Sequence, residues 1–213
     1  MKVLELFAGT RSIGKAFERK GHTVTSVELD EKFPDCIHTD AYAFLQEHGE
    51  EYDVIWASPC CTTYSVAGIR LHRMRDKDGR FTIPTSEYAM QCDTNNRRMF
   101  EWFDDHRDMM WFIENPRGNM QHMYFAKCIE DLKSTICYCQ YGFPTMKPTN
   151  IWTTLRNPEW KPMCHPGAAH HPTDKCAFEN MMRGYQRSVI PEELCDHIVE
   201  ICERQKEAEV IKI

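Results

Sequence analysis

No apolar run in this chain approaches the roughly 20 residues that span a bilayer, and charged Lys2 and Glu5 interrupt the start, where a secretory leader would need an unbroken apolar stretch. A soluble, cytoplasmic protein with no membrane partner is expected. Positive charge is also in short supply: 26 Lys and Arg stand against 32 Asp and Glu, for a net charge of −6. That balance excludes a surface coated in basic residues, although a local patch can still meet phosphates. Internal repeats and low-complexity tracts are missing, so neither a solenoid nor a disordered arm is expected. Cysteine, by contrast, is abundant. The 11 cysteines are an odd number, and several sit inside apolar stretches such as "STICYC". Without a secretory start, this reads as reduced thiols rather than a disulfide framework. With 213 residues and 42% hydrophobic composition, the chain can bury one core.

Along the chain, strand-like and helix-like patterns alternate. "KVLELFAG", "HTVTSVELD", "YDVIWAS", "MMWFIENP" and "STICYC" read as strands, separated by the helical patterns "SIGKAFERKG", "AYAFLQEHGEE", "SEYAMQCDTNNRRMFEWFDDH" and one near "YFAKCIEDL". A long polar loop occupies residues 62 to 86, and from about 140 to 185 the texture turns irregular, with "IWTTL" as its strand-like run. "IPEELCDHIVEICERQKEA" closes the chain as an amphipathic helix. This alternation predicts a mostly parallel sheet covered on both faces. The expected organisation is a catalytic α/β domain over 1–154, a small irregular insert over 155–184 and a closing helix over 185–213.

In open α/β sheets, ligands bind beyond the carboxyl ends of the strands. The loop after the first strand reads "LFAGTRSIG", where Gly9 and Gly14 bracket a turn. Glu28 ends the next strand and can accept hydrogen bonds from ribose hydroxyls, and Asp40 follows on the third loop. The tighter G-x-G-x-x-G of dinucleotide sites is missing. An adenosine-type ligand such as S-adenosylmethionine fits better, with Phe7 packing on it and Asp40 accepting from the adenine amine.

The next loop carries "PCCTTYS", and the following strand ends in "ENP". A cysteine on one carboxyl-end loop and a glutamate on its neighbour can face one point above the sheet. Carbon 5 of cytosine is not nucleophilic until something adds to carbon 6, and a thiolate is suited to that addition. A protonated carboxyl at ring nitrogen 3 stabilises the charge that develops. Two small buried residues at a strand end are the other fate open to such cysteines.

In these features the chain resembles the DNA cytosine-5 methyltransferases, especially short forms encoded by phages. "LELFAGTRSIG" is similar to their first motif, "SPCCTTYS" to the Pro-Cys motif and "ENP" to the Glu-Asn motif. "YGFPTMKPTN" resembles their Tyr-Gly-x-Pro segment, and "RSVIP" their closing cofactor motif. The motifs follow the family's order along nearly the whole chain. The resemblance implies a Rossmann-like class I S-adenosylmethionine-dependent methyltransferase fold, acting as a monomer on double-stranded DNA. It places Cys61 on the nucleophile and Cys60 where relatives carry a second proline, because only that register keeps the spacing to Tyr64 and Ser65. Glu114 and Asn115 complete the implied catalytic set. For the cofactor it implies Phe7, Ala8, Gly9, Thr10, Ile13 and Gly14, then Glu28, Leu29, Asp40 and Ala41, then Ser58, Pro59 and Ser188.

The chain also departs from the family. Where relatives carry Arg-x-Arg, it reads Lys147 and Thr149, so the charge can persist but not the guanidinium fork. Residues 155–184 are too few for the recognition domain of larger relatives. That segment holds Cys164, His165, His170, His171 and Cys176, ligand types for tetrahedral zinc, although their spacing matches no standard finger and a polar loop with incidental histidines is the alternative. The loop after Cys61, "GIRLHRMRDKDGR", is the densest basic run, with Arg70, Arg73, Arg75, Lys77 and Arg80. In the resembling family this loop closes over DNA once the target base is extruded, which assigns nucleic-acid contacts to Ser65, Arg70, Arg73, Arg75, Lys147 and Thr149.

Overall fold

Side chains on successive strand residues point to opposite faces. In the computed structural model, which describes residues 1–171 and 188–210, that alternation builds two cores on one sheet. The strands of this sheet are β1 (Lys2–Leu6), β2 (Thr23–Val27), β3 (Val54–Ala57), β6 (Met110–Pro116), β7 (Lys133–Cys137) and β8 (Pro148–Thr153). Their order is β2-β1-β3-β6-β8-β7. β2, β1, β3 and β6 run parallel, and β8 is antiparallel to both its neighbours.

Val3, Val54, Phe112 and Ile151 face one side, against Ile13 and Phe17 of α1 (Ser12–Arg19) and Leu194 and Ile198 of the closing helix α5 (Glu192–Val210). Leu4, Ile55, Trp111 and Trp152 face the other, against Leu45 of α2 (Ala41–His48) and Met99, Phe100 and Phe103 of α4 (Glu87–Asp105). Local chemistry marks the helix starts. Asp40 caps α2 by accepting from the Ala43 N–H, and Ser86 caps α4 by accepting from the Ala89 N–H. Among the described residues, no helix is long and apolar enough to cross a membrane.

Two expectations change. The helix expected near "YFAKCIEDL" is a pair of 3₁₀ turns, Tyr124–Lys127 and Glu130–Leu132. Phe125, Ala126 and Ile129 are all buried in the core beside α4, and tight turns satisfy that packing without a continuous helix. The polar loop 62–86 contains a single helical turn, α3 (Ile69–His72), and a short antiparallel ladder of β4 (Arg73–Met74) with β5 (Ile83–Pro84). Cys176 and the later part of the expected insert lie outside the described residues.

Candidate active site

The carboxyl ends of β1, β3 and β6 open on a cavity of about 380 Å³, within the size range of small-molecule sites. Two loops and a strand end meet there: Phe7–Thr10 after β1, Ser58–Thr62 after β3, and Glu114 with Pro116 at the end of β6. Lys147 and Ser188 complete the wall.

Both adjacent cysteines line this cavity, but their surroundings differ. Cys60 is exposed, and its sulfur lies 3.2 Å from the Thr62 hydroxyl and 3.0 Å from the Tyr88 phenol on α4. Cys61 is half-buried and in electrostatic contact with Glu114 and Lys147. Burial pushes its thiol above the usual range, the neighbouring Cys60 and Glu114 push it further, and Lys147 opposes them.

Glu114 is buried, and burial raises its carboxyl above the usual range against the pull of Lys147. The Tyr138 phenol donates to its Oε1 at 2.9 Å. The Ser58 hydroxyl also hydrogen-bonds the carboxyl group, and because Ser58 Oγ already accepts from Trp56 Nε1 at 2.7 Å, its own proton is directed at Glu114. Asn115 donates from Nδ2 to the Pro59 carbonyl at 2.9 Å, tying the end of β6 to the cysteine loop.

At the other end of the cavity, Phe7, Gly9 and Arg11 all have positive φ, at 57°, 48° and 58°. This left-handed path is strained for Phe7 and Arg11 and open for Gly9. It leaves space around Gly9, where an added Cβ would meet nothing within 4 Å. Glu28 Oε2 accepts from the Gly9 N–H at 2.9 Å, while Oε1 accepts from the Leu29 and Asp30 N–H groups. Oε2 therefore keeps a lone pair for a ligand hydroxyl. Gly14 acts differently from the turn role expected of it: a Cβ there would sit 2.6 Å from Glu5 Oε2. It is the absence of a side chain that lets α1 rest on β1.

Other expected residues lie away from the cavity wall. Ile13 is in the core and Ala41 is buried at the start of α2. Leu29 is 70% exposed, and Asp40 spends Oδ1 on capping α2. Arg70 and Arg75 are exposed on the basic loop and Ser65 is half-buried, but Arg73 is a correction to the expected phosphate-contacting surface. Its side chain has no exposure, pairs with Asp93, and donates from Nε to the Thr63 carbonyl. Thr149 is likewise buried inside β8, its hydroxyl shared between the Lys147 carbonyl and the Tyr138 phenol oxygen. Of the metal candidates, Cys164, His170 and His171 come together with Cys139, whereas His165 is exposed and turned to the Pro166 carbonyl.

Some residues of this site carried no readable signal. Glu5 lines the cavity although it reads as one residue of a buried strand. It accepts from the Ser26 hydroxyl and the Ile13 N–H, and burial carries its carboxyl from 4.5 to about 7. Tyr138 reads only as part of an apolar run.

The strand order, helices on both faces and a cavity at the carboxyl ends define a Rossmann-like α/β fold. The sequence is 26% identical, over 163 residues, to a probable DNA (cytosine-5)-methyltransferase of Frog virus 3 (isolate Goorha), covering 73% of this chain and 71% of that one. Among solved structures, the S. pombe Dnmt2 methyltransferase aligns at 12% identity and a TM-score of 0.47, over 72% of this chain and 48% of its own. A SAM-dependent methyltransferase from Agrobacterium tumefaciens aligns at 14% identity and a TM-score of 0.40, over 72% of this chain and 56% of its own. The chain thus spans about half the length of these solved chains. No known family profile matches it.

Proposed function

We propose that this chain is a DNA cytosine-5 methyltransferase that uses S-adenosylmethionine. The observation that carries the reading is the meeting of Cys61, Glu114 and Lys147 in one cavity with the glycine loop of β1. The likeness to the Frog virus 3 protein supports it independently.

The cavity suits the cofactor. Phe7 offers an apolar face and Gly9 an open backbone on the wall, and Glu28, which accepts from the Gly9 N–H beside it, offers a carboxylate oxygen for a ribose hydroxyl. Ser58, Pro59 and Ser188 would close around it. When bound, S-adenosylmethionine supplies the methyl group that carbon 5 accepts.

The chain's own residues prepare the base. Cys61 gives up its proton to solvent and adds through sulfur to carbon 6 of a cytosine flipped out of the duplex. Glu114, whose raised affinity for protons favours the acid form, donates to ring nitrogen 3 and so stabilises the charge displaced by that addition. Lys147 favours the thiolate by its charge, in place of the arginines relatives use, and Asn115 holds the Pro59 carbonyl so that the cysteine loop keeps its shape. After methylation carbon 5 loses its proton to a base, the electron pair re-forms the ring double bond, and the Cys61 sulfur leaves. The exposed Arg70 and Arg75 would contact phosphates of the DNA. The reading carries with it a cytoplasmic monomer in which residues 155–184 stand where larger relatives have a recognition domain.

DNA containing 5-fluorocytosine tests it, because fluorine at carbon 5 blocks release of the cysteine. The expected result is a covalent complex formed by the wild type and by Cys60→Ala but not by Cys61→Ser. An adduct that survives Cys61→Ser would overturn the reading. Replacing the DNA by RNA that contains 5-fluorocytosine in the same assay distinguishes an RNA-directed enzyme on this scaffold.

A further inference from the structure

Away from the cavity, Cys139, Cys164, His170 and His171 converge. Cys139 lies in the 3₁₀ turn Tyr138–Tyr141, and the others lie on residues 155–171, which contain neither helix nor strand. Their donor atoms all fall within 4.8 Å of one another, and all of these residues but His170 are buried. Cys164 Sγ stands 3.5 Å from His170 Nε2 and 3.4 Å from His171 Nε2. It also contacts Cys139.

Two imidazole nitrogens and a second sulfur thus crowd one sulfur, and these are the donor types that a single cation draws together. Tetrahedral zinc with bonds of about 2.3 Å to sulfur and about 2.0–2.1 Å to nitrogen sets those ligands roughly 3.5 Å apart, which is the spacing seen around Cys164. Two thiolates and two imidazoles are also the donor set that selects zinc over harder divalent ions.

We propose that Cys139, Cys164, His170 and His171 bind one zinc ion in a closed, structural site. The site pins the 155–171 segment, which has little apolar core of its own, to the turn whose first residue, Tyr138, donates to Glu114. Cys137, with its sulfur 3.3 Å from Cys139, stands outside the ligand set. The ligand set differs from the one the sequence suggests: Cys139 enters from a distant strand end and His165 drops out, while Cys176 lies outside the described residues.

Metal analysis of the full chain, purified without chelator, tests the proposal independently of methyl transfer. The expected result is about one zinc per chain, lost in Cys164→Ser and His171→Asn and retained in Cys137→Ser and His165→Ala. Cobalt(II) in place of zinc should give the visible absorption of a tetrahedral site together with a sulfur-to-cobalt charge-transfer band. If the ligand variants fail to fold, the wild-type metal content and the cobalt spectrum still decide. A zinc content near zero, a cobalt spectrum of octahedral type, or loss of zinc in His165→Ala would overturn the proposal.

Discussion

The guanidinium of Arg73 grips the carboxylate of Asp93 through two hydrogen bonds, at 2.6 and 2.9 Å, both residues being buried. The same guanidinium covers the Tyr64 ring at 4.3 Å and donates to the Thr63 carbonyl, so it fastens the cysteine loop to α4. Removing one member of a buried pair strands the other's charge, at a cost of about 3–5 kcal/mol. Arg73→Ala should lower the urea midpoint accordingly, and Asp93→Ala should do the same. A loss below about 1 kcal/mol, the range of an exposed pair, would show that the pair is solvated.

With Arg73 internal, the proposed phosphate contacts fall to Arg70, Arg75 and Arg80, all exposed on the same loop. Every phosphate left without its arginine should reduce the slope of log K against log salt by roughly 0.9. The triple alanine variant should therefore flatten that slope by up to about 3, while leaving the thermal midpoint nearly unchanged. An unaltered slope in a DNA-binding titration across salt concentrations would remove this loop from the interface.

Lys147 lowers the proton affinity of both Glu114 and Cys61. The proposed chemistry needs Glu114 protonated and Cys61 ionised. Replacing Lys147 by Met raises both pKa values, so the bell-shaped profile of kcat/KM should move to higher pH on both limbs. Tyr138→Phe removes a hydrogen bond that lowers Glu114 alone, and should shift the Glu114 limb while leaving the Cys61 limb in place. Profiles that fall in height without moving would reduce both residues to packing roles.

Glu5 links stability to pH. Its folded-state pKa of about 7 lies above the unfolded value of 4.5. The stability it contributes is therefore fully present below pH 4.5 and is lost as pH rises through 7. By linkage the loss amounts to roughly 3 kcal/mol. Glu5→Gln, which stays neutral, should escape it. Urea unfolding at pH 5 and pH 8 should show the wild type losing ground to the variant at the higher pH, and parallel curves would place the Glu5 titration elsewhere.

Much of the architecture was legible because it depends on local pattern. The continuous apolar runs of β3 and β6 announce strands buried on both faces, whereas the caps on α2 and α4, Asp40 and Ser86, show themselves in the structure, Asp40 having read as a ligand-binding acid. The turns after Met123 read as a helix because burial of Phe125 and Ile129 leaves the same apolar spacing either way. In the candidate site, Cys61, Glu114 and Gly9 announced themselves through strand-end position and motif order.

What the sequence determined by itself is which residues stand at the carboxyl ends of which strands, and hence that Cys61, Glu114 and the Gly9 loop share one end of the sheet. Only the tertiary structure decided who touches whom: that Tyr138 and Ser58 hydrogen-bond Glu114, that Arg73 turns inward to Asp93, and that Cys139 joins Cys164. Secondary structure follows from periodicities within a few residues, whereas these pairings join residues far apart in the chain, whose meeting depends on how whole elements pack.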